Sequence, residues 1–103
     1  MFSVRPLPQF TKWLDELKDH KVRAAAAARI KSLAFGLLGD FKSIGGGVFE
    51  LRIDLGAGWR IYYTHFDEQI VVLLVGGSKR TQKRDIQRAR ALAASLRSGG
   101  EKQ

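Results

Sequence analysis

The sequence predicts an α+β domain: an antiparallel β-sheet with an N-terminal helical hairpin and a C-terminal helix, in the order β-α-α-β-β-β-β-α. Three observations carry this. Apolar residues recur at helical spacing near both ends of the chain, they alternate in the middle, and the alternating runs are joined by short turn-forming segments. Strands joined by tight turns pair antiparallel, and the helices must cover their apolar face. With 103 residues, 45% of them apolar, the chain is one domain, residues 1–103, with a single modest core.

Phe2 to Arg5 is a candidate strand, ended by Pro6 and Pro8. Phe10, Trp13, Leu14 and Leu17 then recur at helical spacing, with Lys12, Asp15, Glu16 and Lys18 on the other face. Asp19-His20 breaks the pattern. A second helix follows, with Val22, Ala26, Ile30, Leu33 and Leu37 inward and the alanine run from Ala24 to Ala28 favouring helix. Gly36 and Gly39 mark its end. Asp40 to Ile44 is a further candidate strand, and Gly45-Gly46-Gly47 is read as a hairpin connection.

From Val48 to Leu55, Phe49, Leu51, Ile53 and Leu55 alternate with Glu50, Arg52 and Asp54, the mark of a strand with one buried face. Gly56 to Gly58 is a turn, and Trp59 to Phe66 is the returning strand. A three-residue loop sets Leu55 opposite Trp59, Asp54 opposite Arg60 and Arg52 opposite Tyr62. Arg52, Arg60 and Tyr62 are then expected on one exposed sheet face. Asp67-Glu68 is the next hairpin tip. Ile70 to Val75 is apolar on both faces and is expected to be a central strand with helices on one side. The last helix spans Gln82 to about Leu96, with Ile86, Ala89, Ala93 and Leu96 inward. Residues 98–103 are expected to be a frayed polar tail.

The charge balance points to polyanions. Lys and Arg number 18 against 10 Asp and Glu, a formal net charge of +8. Lys79, Arg80, Lys83 and Arg84 crowd one junction, read as strand end, glycine turn at Gly76-Gly77 and helix start, with Thr81 as the helix cap. A helix start exposes unpartnered N–H groups and favours anions, so this junction is a candidate phosphate site. On the expected sheet face, Arg52 and Arg60 offer bidentate forks to phosphate and Tyr62 offers a ring to a base. A plainer alternative is cross-strand pairing of Asp54 with Arg60 and Glu50 with Arg52.

Other chemistries lack their residues. The chain has no cysteine, so thiolate nucleophiles and disulfides are excluded. His20 and His65 have no sequence-local ligand partners, and no cluster has metal spacing, so no metal or cofactor is expected. No secretory leader is visible and no apolar run is long enough to span a bilayer, which predicts a cytoplasmic protein without membrane contact. Cations alone can promote RNA cleavage, by stabilising the charge that builds as a 2′-hydroxyl attacks the adjacent phosphate. A lysine crowded by other cations loses its proton more readily and can serve as acid or base.

The order of motifs resembles the RelE/ParE superfamily of bacterial toxins, specifically its HigB-like "addiction module killer protein" branch. The matching segments are Phe10-Thr-Lys-Trp-Leu-Asp-Glu-Leu-Lys-Asp19, Ala28-Arg-Ile30, Gly39-Asp-Phe-Lys-Ser-Ile-Gly45 and Val48-Phe-Glu-Leu-Arg-Ile53. They continue through Gly58-Trp-Arg-Ile-Tyr-Tyr63, Val72-Leu-Leu-Val-Gly-Gly77 and Lys79 to Ile86. The resemblance implies the toxin of a type II toxin–antitoxin pair: a metal-independent mRNA endoribonuclease, often acting at the ribosome. It implies a cognate antitoxin encoded alongside, often with a helix-turn-helix domain. By position it picks out Arg52, Arg60, Lys79, Gln82 and Lys83; taken with the basic junction, this gives catalytic roles to Arg52, Arg60, Lys79 and Lys83, with Tyr62 or a lysine as acid or base, and RNA contacts to Arg80, Gln82 and Arg84. The chain departs from the pattern twice. Ser78 stands where the branch usually has an acidic residue, and residues 81–103 hold no tyrosine or histidine, which many related nucleases carry there. Two alternatives stay open: a ParE-like inhibitor of DNA gyrase, and a basic nucleic-acid-binding module without catalysis.

Overall fold

The structure, a computed structural model, describes residues 1–101. Strand β1 (Ser3–Pro6) leads into helices α1 (Pro8–Glu16) and α2 (His20–Ala34). Strands β2 (Phe41–Gly45), β3 (Val48–Ile53), β4 (Trp59–His65) and β5 (Ile70–Ser78) follow. A 3-10 turn (Lys79–Thr81) runs into helix α3 (Gln82–Glu101). The expected element order is the observed one. The sheet order is β1-β5-β4-β3-β2, antiparallel throughout except that β1 lies parallel to β5, with Ser3 beside Ile70.

Local chemistry sets the helix boundaries. Pro8 opens α1, where its missing N–H costs nothing. Asp19 caps α2 by accepting from the N–H groups of Lys21, at 2.9 Å, and Val22, at 3.4 Å. α2 stops at Ala34, a turn before the sequence pattern suggests, and Leu37 is exposed instead of inward. The Gly45–Gly47 connection carries three successive positive φ angles of 87°, 65° and 76°, which glycine alone adopts cheaply. At the other end of the chain α3 continues through Ser98 to Glu101, which corrects the expected frayed tail for those residues; 102–103 lie outside the described residues.

The larger correction concerns layering. Helices cover both faces of the sheet, not one. On one face α1 packs against β5 and α2 against β1 and β3, around Phe10, Leu33, Leu51, Ile61, Tyr63 and Leu73. On the other, α3 lies over β5, β4 and β3, and buries Val48, Tyr62, Leu74 and Val75 beneath Ala89 and Ala93. The two alanines, 0% and 1% exposed, let the helix approach closely. The polar side of β3 and β4, expected to face solvent, is therefore largely interior.

The end of β5 is also corrected. Gly76 and Gly77 form no turn; they continue the strand, paired with Ile61 and Arg60. A bulge sets both Leu74 and Val75 on the α3 side, so the alternation restarts with Gly76 toward α1 and Gly77 toward α3. Each then meets a close neighbour. A Cβ on Gly76 would strike the Trp13 ring, and one on Gly77 would strike the Asp85 carboxylate.

Candidate functional site

The β3–β4 hairpin places the first two arginines. Its loop runs from Asp54 to Gly58, so Ile53 pairs with Trp59, Arg52 with Arg60 and Glu50 with Tyr62. This corrects the expected register by two residues. A two-residue shift leaves every side chain on its face, so hydrophobic alternation does not distinguish the two pairings. The Asp54–Arg60 pair of the plainer reading does not form; Arg60 turns to Glu50.

Glu50 is the hub. Its carboxyl group, 1% exposed, accepts from the Tyr62 hydroxyl at 3.0 Å and from Gln82 Nε2 at 2.9 Å. Arg60 Nε approaches it at 3.5 Å and Arg52 Nε at 3.8 Å. A buried carboxylate persists only when paired and hydrogen-bonded, and four neighbours from β3, β4 and α3 do this here. Arg52 also pairs with Asp40 at 3.6 Å. Asp40 is in turn placed by Arg29 of α2, whose guanidinium donates to the carbonyls of Leu38, Asp40 and Arg52.

Tyr62 is fully buried under α3, not a ring on an exposed platform. Burial, reinforced by the Glu50 charge and their hydrogen bond, pushes its phenol well above the usual tyrosine range. It therefore stays protonated and donates to Glu50, out of reach of a base in solution. Tyr63, buried on the opposite face, is also pushed up by burial.

Beside the hub a cleft of about 250 Å³ opens at the loop end of the hairpin. Asp40, Arg52, Asp54, Gly58, Trp59 and Arg60 line it. Arg60 Nη1 donates to the Gly58 carbonyl at 2.7 Å. Among the described residues, no group takes a hydrogen bond from either Nη of Arg52 or from Nη2 of Arg60. The cleft thus carries two guanidiniums with spare donors. The backbone N–H of Lys79 donates to the same Gly58 carbonyl at 2.9 Å, which ties the residue after β5 to the hairpin loop at the cleft's edge.

Of the residues expected from sequence, Arg52, Arg60, Tyr62 and Gln82 meet around Glu50, and Lys79 stands at the cleft through Gly58. Arg80 and Lys83 are exposed and join the hub by no hydrogen bond or ion pair. Arg84 pairs with Asp85 at 3.6 Å. Ser78, not Thr81, caps the 3-10 turn, while Thr81 donates to Asp85 at 2.6 Å. Asp85, 1% exposed, puts the helix's own carboxylate in its first turn, which offsets part of the positive end expected to draw phosphate.

Sequence reasoning missed Glu50 as the hub, and Asp85, Asp40 and Trp59 as its surroundings. One signal was available. The apolar stripe of α3 needs a sheet face of its own, and only the Glu50–Arg52–Tyr62 side of the hairpin remains for it.

Residues 12–94 match the model of a family described as Phage derived protein Gp49-like (DUF891). An uncharacterized protein of Haemophilus influenzae is 48% identical over 87 residues, which cover 84% of this chain and 88% of that protein.

Proposed function

The chain belongs to the Gp49-like family of phage-derived proteins, and from that premise we propose that it is the toxin of a type II toxin–antitoxin pair and cleaves mRNA. The family is associated with toxin–antitoxin modules. The observation that carries the nuclease reading is the cleft, where Arg52 and Arg60 keep unspent Nη donors beside the Lys79 segment. Held from behind by buried Glu50, the two guanidiniums are preorganised for an anion.

In this mechanism a 2′-hydroxyl attacks its neighbouring phosphate. Its proton passes to a cleft carboxylate, Asp40 or Asp54, while Arg52 and Arg60 stabilise the charge on the equatorial oxygens. The 5′-oxygen leaves with a proton from Lys79, and a 2′,3′-cyclic phosphate remains. Tyr62 serves indirectly, by holding Glu50. The partner is an antitoxin encoded alongside, steered to this basic surface by charge, and the setting is the cytoplasm and its ribosomes.

A second reading keeps the toxin and removes the chemistry. The burial of both tyrosines leaves no phenol at the cleft, which favours a toxin that inhibits DNA gyrase by binding. One experiment separates the two. Cells expressing the chain are examined by primer extension of their mRNA, and gyrase supercoiling is assayed with the purified protein. New transcript ends that vanish with Arg52→Ala support cleavage. Intact transcripts with inhibited gyrase support the second reading.

A further inference from the structure

Four of the basic side chains that the cleft does not use fall along one seam. β2 starts just after Asp40, beside the cleft, and ends at the glycine hairpin, which α3 reaches through Arg90 and Arg97. On β2, Lys42 pairs in register with Glu50, so it lies on the α3 side of the sheet next to the hub. From α3, Arg90 donates to the Ile44 carbonyl, and Arg97 Nη1 reaches the Gly46 carbonyl at 3.4 Å. Lys83 precedes Arg90 by the same seven residues that separate Arg90 from Arg97, so all three fall along one edge of the helix. They span about 21 Å at the helical rise of about 1.5 Å per residue.

None of these four cations has a carboxylate within ion-pair reach among the described residues. Carbonyls hold Arg90 and Arg97 in place without cancelling their charge. The seam also lacks what a protein partner would bury: among the described residues the exposed large apolar ones are Met1, Phe35, Leu37, Phe41 and Phe66, and Phe41, the one on β2, pairs with Leu51 and packs on Phe49 on the opposite face of the sheet. A row of unpaired cations without apolar anchors suits a ligand with regularly spaced charges.

We infer that the seam between β2 and α3, carried by Lys42, Lys83, Arg90 and Arg97, is a track that holds the sugar–phosphate backbone of single-stranded RNA on its way into the cleft. This rests on the reading of the cleft as an RNA site, but its test needs no cleavage. The probe is a 2′-O-methyl RNA of about 12 nucleotides, within the range of single-strand binding sites, which offers no free 2′-hydroxyl for attack. Its affinity for the full chain is measured by fluorescence anisotropy across a salt series. The track variant is Lys42→Gln/Lys83→Gln/Arg97→Gln, which leaves Arg90 to hold the hairpin. The control, Lys12→Gln/Lys21→Gln/Lys31→Gln, removes the same charge from exposed positions on α1 and α2, across the sheet.

The track variant should bind more weakly, with a log–log salt slope shallower by about 2, at about 0.7 per lost contact. The control should keep the parent slope. Circular dichroism verifies that both variants fold, and the single variants Lys42→Gln and Arg97→Gln replace any triple that does not. Equal slopes in track and control variants overturn the inference, as does an unmodified chain that does not bind the probe. If poly-glutamate binds in its place with the same dependence on these residues, the seam takes an acidic protein segment and the inference is overturned. Track-dependent binding of the probe, alongside intact transcripts in the primer-extension assay, upholds the track and counts against the nuclease.

Discussion

Glu50→Gln should destabilise the fold strongly although it changes one atom. The carboxylate is 1% exposed, and Arg60, its closer charged neighbour, has a side chain 12% exposed at 3.5 Å. At an effective dielectric constant near 20, two unit charges at that distance attract by about 5 kcal/mol. The cost of dehydrating both groups offsets much of this. Arg52 adds less, because its side chain is 40% exposed and screened by water. Removing the charge leaves Arg60 buried without a counter-ion, and a glutamine that keeps its oxygen toward Tyr62 and Gln82, which share Oε2, turns its N–H₂ against Arg52. The net loss is about 3 kcal/mol, the lower end for breaking a buried pair. For a domain of this size that lowers Tm by roughly 12–24 °C. Differential scanning calorimetry at neutral pH measures the shift, and Glu50→Gln/Arg60→Met tests its cause. If the stranded guanidinium is responsible, the double variant recovers part of the loss. A Tm shift below about 4 °C for the single variant, or a double variant no more stable than the single, refutes the reasoning.

Two further outcomes are expected. The chain has two tyrosines, both with phenols pushed up in the fold, so their contribution to stability is intact below about pH 10 and falls above it, by up to about 1.4 kcal/mol per pH unit for each, because the unfolded chain ionises first. Ultraviolet titration should show phenolate only as the near-ultraviolet circular dichroism collapses, and reversible ionisation in the folded protein near pH 10 would contradict this. Gly77→Ala, whose Cβ meets the Asp85 carboxylate, should lower the urea midpoint by the equivalent of about 1–3 kcal/mol with little change in m; an unmoved midpoint would mean that β5 and α3 are not so closely apposed.

Much of the fold was legible because period and turn chemistry agree along the chain. The alternation from Phe49 to Ile53, the Asp19 break and the Gly45–Gly47 connection each name their element. Two features were not legible, for different reasons. The β3–β4 pairing depends on loop length, and alternation is blind to a two-residue shift. The burial of Tyr62 and Glu50 depends on where α3 docks, a long-range choice to which the local pattern of β3 gives no answer. The candidate site followed the same division. Arg52 and Arg60 stood out as cations on a strand, whereas Glu50 gained its role only when Gln82 arrived from the far end of the chain. The glycines of Gly76-Gly77 misled because glycine marks close approach as readily as it marks a turn.

The parallel pairing of β1 with β5 bears on biogenesis. Ser3 is made well before its strand partner, which begins at Ile70, and the hub is incomplete until Gln82 has been added. At roughly 5–20 residues per second, β1 waits several seconds for its neighbour while the chain is still being translated. Such non-local pairing slows folding and delays closure of the sheet. The assembled cleft is therefore a late product of synthesis, and a nascent chain carries Glu50 and its two arginines before Gln82 and α3 arrive to bury them. On the toxin reading proposed above, that interval is time in which an antitoxin can accumulate before the cleft becomes competent.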